Sequence, residues 1–388
     1  MTTKQNEAHP ARSIAEEVAR WLPAGTRLLG FGEPLHGEER FLRHRNELFA
    51  HLVEHAGFGA IAVESDCLRG RVVNAHVRTG EGVLDDVLRT GFSHGFGTAP
   101  ADRDLVRWLA EHNRTAAEPV RFHGFDAPVE MMGAESPRGA LAIVHGYLTA
   151  RVGHVLPWER IDALLGDDAR WSDPAAAMDH TRSVGDTPEA RELRLIADDL
   201  RWLLTAESPG LADDPDARWD AELAARTATG LLAYHAGMAG DSPRRVSRLL
   251  GVRDAMMAEN LCALAERDTR PTLVFAHNQH LRAGAVRWDL AGMDLRWHSA
   301  GAHVARRLGP AYAVIATAVG RAERHGIAEP EPGSVEGLLL AAGGGTRLVP
   351  SAGLPTATTR RTPGNPGYFP LDPAHTDEVD AVWFVPEL

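Results

Sequence analysis

This sequence predicts an α/β fold: a largely parallel central sheet flanked by helices, with a helical insertion in the middle of the chain. Three observations carry that prediction. Short apolar, β-rich runs alternate with long helical patterns, the runs end in turn residues, and no strand signal interrupts roughly Gly139 to Ala265.

The first run, TRLLGFGE (Thr26–Glu33), is an apolar strand closed by turn residues. Apolar positions then recur at helical spacing from about Glu38 to Ala56, and GAIAVES (Gly59–Ser65) reads as a second strand. Further helical patterns lead to PVRFHGFD (Pro119–Asp126), the third strand. In the middle, helical periodicity is broken only by polar loops such as ESPGLADDPD (Glu207–Asp216). TLVFAHNQH (Thr272–His280), AYAVIATAVG (Ala311–Gly320) and DAVWFVP (Asp380–Pro386) are the remaining strands. The Pro/Gly-rich stretch Ser351–Pro373 is expected to be a long loop, either disordered or a flap over a site. We therefore expect one domain over 1–388, with 128–268 a mainly helical insertion and 321–379 a loop-rich C-terminal stretch.

Composition narrows the chemistry. The chain has 388 residues, 44% of them hydrophobic, enough for a substantial core. Lys4 is the only lysine, whereas there are 19 histidines, so lysine-based Schiff-base, phosphate-loop and general-base chemistry is excluded beyond the N-terminal tail. A net charge of −12 without basic runs argues against nucleic acid as a partner. The N-terminus lacks an apolar signal region and no run is long enough to span a membrane, so a cytoplasmic protein without a membrane partner is expected. Cys67 and Cys262 are far apart and read as buried thiols. Imidazole and carboxylate remain, the usual groups for proton transfer near neutral pH.

These groups gather where strand patterns end. Glu33 and His36 follow the first strand, Glu64 and Asp66 the second, Asp126 the third, and His277 and His280 the fourth; His123 lies just upstream of Asp126. In a parallel sheet, those strand ends line one crevice. Arg45 falls inside the apolar stripe Phe41, Leu48, Phe49, Leu52, Ala56, so it needs an anion, and the Glu33/Glu64 cluster is the expected partner. Two literal motifs are set aside. GFSHG (Gly91–Gly95) lacks the preceding strand and following helix that a serine elbow needs, and HLVEH (His51–His55) lies at the border of an amphipathic helix. Glu33, His36, Glu64, His277 and His280 are all competent metal ligands, but their spacing matches no ligand signature, and no metal or other cofactor is expected.

The run LGFGEPLHGEERFLRHRNELFAHLVEHAGFGAIAVESD resembles the opening signature of the erythromycin esterase family: Gly-Glu-x-x-His-Gly, an arginine-containing helix, then Glu-x-Asp after a strand. Further matches follow in order: VVNAHVRTGEG with Asn74, DLVRWLAEHN, FHGFDA with Asp126, RDAMMAEN with Arg253, Asp254 and Asn260, FAHNQH with His277 and His280, GAHVARRLGPAYAVIATAVG and DAVWFV. Phe275 stands where a tryptophan is usual, and HSAGAHV replaces a Met-Gly-containing turn.

The resemblance implies metal-independent hydrolysis of a macrolide-type lactone, a small-molecule ester. Within it, His36 corresponds to the proposed base, Glu64 and His277 to positions thought to complete the site, and Glu33, Arg45 and His280 to their neighbours. In this scheme Arg45 or His280 faces the oxyanion and His277 protonates the leaving group, or the reverse. Asp66, Asp126, His123, Asn74 and Arg253 join His280 as candidate substrate contacts, and the insertion is expected to shape the pocket. Two other functions stay open: a tailoring enzyme acting on a non-macrolide natural-product intermediate, and a protein that binds haem or another small ligand through spare histidines.

Overall fold

A computed structural model describes residues 13–130, 133–211 and 213–388. Its centre is a seven-stranded sheet of β1 (Leu28–Glu33), β2 (Ala60–Asp66), β3 (Arg121–Asp126), β4 (Thr272–His277), β5 (Tyr312–Arg321), β6 (Arg347–Pro350) and β7 (Ala381–Glu387). The spatial order is β6-β7-β5-β1-β4-β2-β3; every pairing is parallel except β6 with β7.

The central strands are buried along their whole length, which explains why they read as continuous apolar runs. In β1, Gly30 and Gly32 leave room for neighbours: a Cβ on Gly32 would sit 2.2 Å from Asn278 Oδ1. One face of the sheet is covered by α1 (Glu39–Ala56) and α2 (Pro100–Asn113), joined in a core with Phe31, Ile61, Phe122 and Phe275.

The stretch expected as an insertion holds α3 (Arg138–Val152), a short helix Trp158–Leu165, α4 (Pro188–Glu207), α5 (Pro215–Met238) and α6 (Arg245–Arg267). Leu141, Leu148, Ile161, Leu193 and Ala224 form an apolar core of its own. α6 differs from the others. Its Met257, Leu261 and Leu264 pack with Val274 and Val314 on the second face of the sheet, so it is a crossover helix of the main body.

The C-terminal stretch carries more structure than expected: helix Val335–Ala341 and strand β6 lie inside it. A hairpin, Ala285–Leu290 with Met293–His298, follows β4 and rests on α6. Ser351–Pro373 runs past the end of β4, where Gly367 and Phe369 meet His277, with Tyr368 buried. Both cysteines are free and buried. Among the described residues, no helix is long and apolar enough to cross a membrane.

Candidate active site

The parallel sheet delivers Glu33, Glu64 and His277 to one edge, because β1, β4 and β2 are adjacent and end together. His36 lies on the turn that links β1 to α1, and its Nδ1 is 2.7 Å from Glu33 Oε1. Its Nε2 faces Glu64 Oε1 at 3.8 Å, too far for a direct hydrogen bond. Burial pushes the Glu33 carboxyl above its ordinary pKa, with His36 opposing. Burial opposes charge on His36, but Glu64 and Glu33 outweigh it and raise its pKa.

Glu64 is the hub. Its Oε2 accepts the His277 backbone N–H at 2.7 Å, while Oε1 has His280 Nε2 at 3.3 Å and Arg253 at 3.6 Å. Burial disfavours its charge, yet His280, His36 and Arg253 hold the carboxyl well below its usual range.

Both ring nitrogens of His277 are committed to the main chain. Nε2 donates towards the carbonyls of Pro34 (3.2 Å) and Gly367 (3.1 Å), and Nδ1 accepts from the Gln279 N–H (3.2 Å). Burial and nearby His36 press its pKa down to about 3, so the ring is neutral and N-caps the short helix Asn278–Leu281. His280 is its opposite: burial is overcome by Asp254 and Glu64, which raise its pKa to about 10.

Arg45 is buried, as its place on the stripe demands, but its partner is Asp102 of α2 at 2.8 Å, not Glu33 or Glu64. Asn46 accepts from its Nε (3.0 Å), and the guanidinium lies 5.0 Å from the Phe275 ring centroid. Asp126, fully buried, takes a two-pronged contact from Arg253 (3.0 and 2.5 Å). Three other candidates sit apart. Asp66 caps the turn after β2 by accepting from Leu68 and Arg69 N–H, and Asn74 accepts from the Phe122 N–H. His123 is buried against Trp219, and burial with Arg267 and Arg121 lowers its pKa to about 3.

A cavity of about 490 Å³ opens beside His36, walled by Glu33, Arg45, Glu64, Phe96, Asp102 and Phe275 among others. No described residue of 128–268 lines it, so the shape it has among the described residues comes from α1, α2 and the loop between helix Leu84–Gly91 and α2. That loop carries His94, a wall residue with φ of 56°, whose Nδ1 meets Glu130 (2.6 Å) and Nε2 meets Asp126 (3.1 Å). Phe96 stands between the His36 and His94 rings (5.5 and 5.4 Å). The sequence carries no local signal for His94, because its partners Glu130 and Asp126 are far from it along the chain. Ser93 itself is buried and accepts the Asp66 N–H at 2.8 Å. His51 and His55 pack edge to face at 4.5 Å on α1. Among the described residues, no three His, Cys, Asp or Glu side chains are grouped as a metal site.

Fold and site together define an α/β protein whose acid–base groups are set at the C-terminal edge of a parallel sheet. More narrowly, the chain belongs to the erythromycin esterase family, whose model, described as "Erythromycin esterase", matches residues 53–384. Glu33, His36 and Arg45 precede the matched span. A stretch of 103 residues is 30% identical to "Erythromycin esterase type II" of Escherichia coli, spanning 26% of this chain and only 24% of that relative. In structure, a Bacillus cereus protein aligns over 94% of this chain and 89% of its own, with a TM-score of 0.70 and 18% identity. A histidine-to-asparagine mutant of the erythromycin esterase EreC, in its open conformation, aligns over 96% and 93%, with a TM-score of 0.68 and 19% identity. At these identities the two structures establish the shared fold.

Proposed function

We propose that this chain hydrolyses a carboxylic ester of the macrolide-lactone type, using water activated by His36 and no metal. One observation carries the reading. His36 is 43% exposed at the cavity, whereas the His280 and His94 side chains are 14% and 15% exposed and His277 is 6% exposed. It is thus the accessible imidazole, and it is also oriented by a buried carboxylate at 2.7 Å.

With Nδ1–H donated to Glu33, Nε2 keeps its lone pair on the cavity side. A water entering from the cavity is deprotonated by Nε2 as its oxygen attacks the ester carbonyl. Glu33 stabilises the imidazolium that forms, and the imidazolium returns the proton to the departing alkoxide. Arg45, whose guanidinium is in the cavity wall, supplies the positive charge for the developing oxyanion. His277, with both nitrogens occupied, holds Glu64 through its backbone N–H rather than exchanging a proton. Arg45 braces the cavity wall through Asp102.

The test is a mass-spectrometric screen of macrolides and other lactones against wild type and His36→Ala. A product heavier by one water is expected with wild type, and His36→Ala lowers kcat by about 10²–10⁴-fold. Full activity in folded His36→Ala overturns the role of His36. Turnover that survives exhaustive chelation supports the metal-free route, and loss restored by added metal overturns it.

A further inference from the structure

His280 is not part of the cavity wall; it lies behind Glu64, between that carboxylate and a second one on α6. We propose that Asp254 and Trp297 are positioning residues: together they hold the His280 ring as a cation paired with Glu64, so that Glu64 stays ionised beside the water His36 activates. This rests on the roles given to His36 and Glu64 above.

Asp254 is fully buried, and each of its oxygens has one donor. Oδ1 meets His280 Nδ1 at 2.5 Å, and Oδ2 accepts from Trp297 Nε1 at 2.5 Å. Indole is a donor only and does not titrate, so Trp297 fixes the carboxylate's rotation without competing for the His280 proton. With Nδ1–H committed to Asp254, the ring turns Nε2 towards Glu64 Oε1, 3.3 Å away. A lone pair on Nε2 would face a carboxylate oxygen there and repel it. A ring whose two nitrogens both lie within 3.3 Å of carboxylate oxygens therefore carries both protons, whereas Nε2 of His36 stands 3.8 Å from Glu64.

The other charged or titratable groups near it are Arg253 on α6, His36 on the β1–α1 turn and His277 at the end of β4. The resulting cation accounts for the low pKa of Glu64 despite its burial. Trp297 belongs to the hairpin Ala285–His298, so a segment outside the main sheet reaches the site through one indole N–H.

The proposal is read directly by NMR of protein labelled with ¹⁵N at histidine, the His280 signals being those lost in His280→Gln. In wild type both His280 nitrogens stay protonated from about pH 6 to about pH 9, well past the ordinary histidine range. Asp254→Asn brings the titration towards neutrality, and Trp297→Phe shifts it part of the way. A wild-type ring that titrates near neutrality, or one that stays doubly protonated in Asp254→Asn, overturns the proposal.

In ester hydrolysis, Asp254→Asn gains an alkaline loss: kcat falls about ten-fold one pH unit above the new His280 titration, with KM little changed. A uniform loss at every pH indicates a purely structural role and overturns it. Should neither variant fold, the wild-type titration still decides. If wild type hydrolyses no ester, the esterase reading falls while the NMR result judges the positioning separately.

Discussion

At His36, burial and two carboxylates act in opposite directions, and the carboxylates prevail. General-base catalysis needs the neutral ring, so kcat/KM should rise with pH through a midpoint above the ordinary histidine value of about 6.5. Glu33→Gln removes one charge that favours the imidazolium, and the acidic limb should move to lower pH, as a pH–rate profile will show; an unmoved limb refutes the pairing. Arg45 makes a second residue-scale case. Removing its partner in Asp102→Ala leaves a guanidinium buried and uncompensated, a loss of about 3–5 kcal/mol by chemical denaturation. A loss near zero would show that Asn46 and Phe275 suffice. Glu33, His36, Glu64, His277 and His280 were legible as candidates because polar residues at the ends of apolar strands stand out. Asp102, His94 and Trp297 were not, since long-range pairs leave no local spacing. Asp66, Asn74 and His123 show the converse: the same residue types, in matching motifs, serve as a cap, a strand tie and a buried neutral ring.

At the scale of elements, the parallel strands were readable to within three residues because both faces are buried; the largest miss is β4, which ends at His277 where a short helix begins. The edge strand β6 and the hairpin Ala285–His298 were not, being short or half exposed, with no apolar run to betray them. Ser351–Pro373 is the instructive element, since a loop-like composition conceals a segment anchored by buried side chains. Arg361 is buried and donates to the carbonyls of Val319 (2.5 Å), Gly320 (2.8 Å) and Ala328. Glu336 accepts from the Leu371 N–H (2.8 Å) and the Tyr368 hydroxyl (3.2 Å). Between these anchors, Gly367 accepts from His277 and Phe369 packs on its ring at 5.4 Å. Arg361→Ala should therefore cost about 3 kcal/mol, given charge-assisted bonds worth about 1.5–3 each and not additive. Limited proteolysis should open the segment before the rest of the chain. Unchanged cleavage and stability would mean that Glu336 alone holds the segment.

At the scale of the molecule, the question is what keeps the helical insertion registered on the sheet, since its apolar core is largely its own. α6 supplies part of the answer by packing on the sheet and tying Asn260 Nδ2 to the Phe125 carbonyl (3.1 Å). The other part is electrostatic. Asp216, in the first turn of α5, accepts from Arg78 (2.6 Å), Arg121 on β3 (2.9 Å) and Arg267 at the end of α6. Burial disfavours its charge, but Arg78, Arg121 and Arg267 outweigh it and hold the carboxyl below its ordinary pKa. Because Asp216 is 42% exposed, screening limits the network to about 1–2 kcal/mol at low salt, on the scale of a few surface pairs. Asp216→Ala leaves three guanidiniums facing one another, so Tm should drop at low ionic strength and recover in high salt. The pH sign is fixed as well. A carboxyl whose folded pKa is depressed stabilises above its unfolded pKa and loses that contribution as pH falls through the folded value. Wild type and Asp216→Ala should therefore differ most at neutral pH and converge in acid. A gap that persists in acid and in high salt would mean that lost packing, not charge, is what Asp216 supplies.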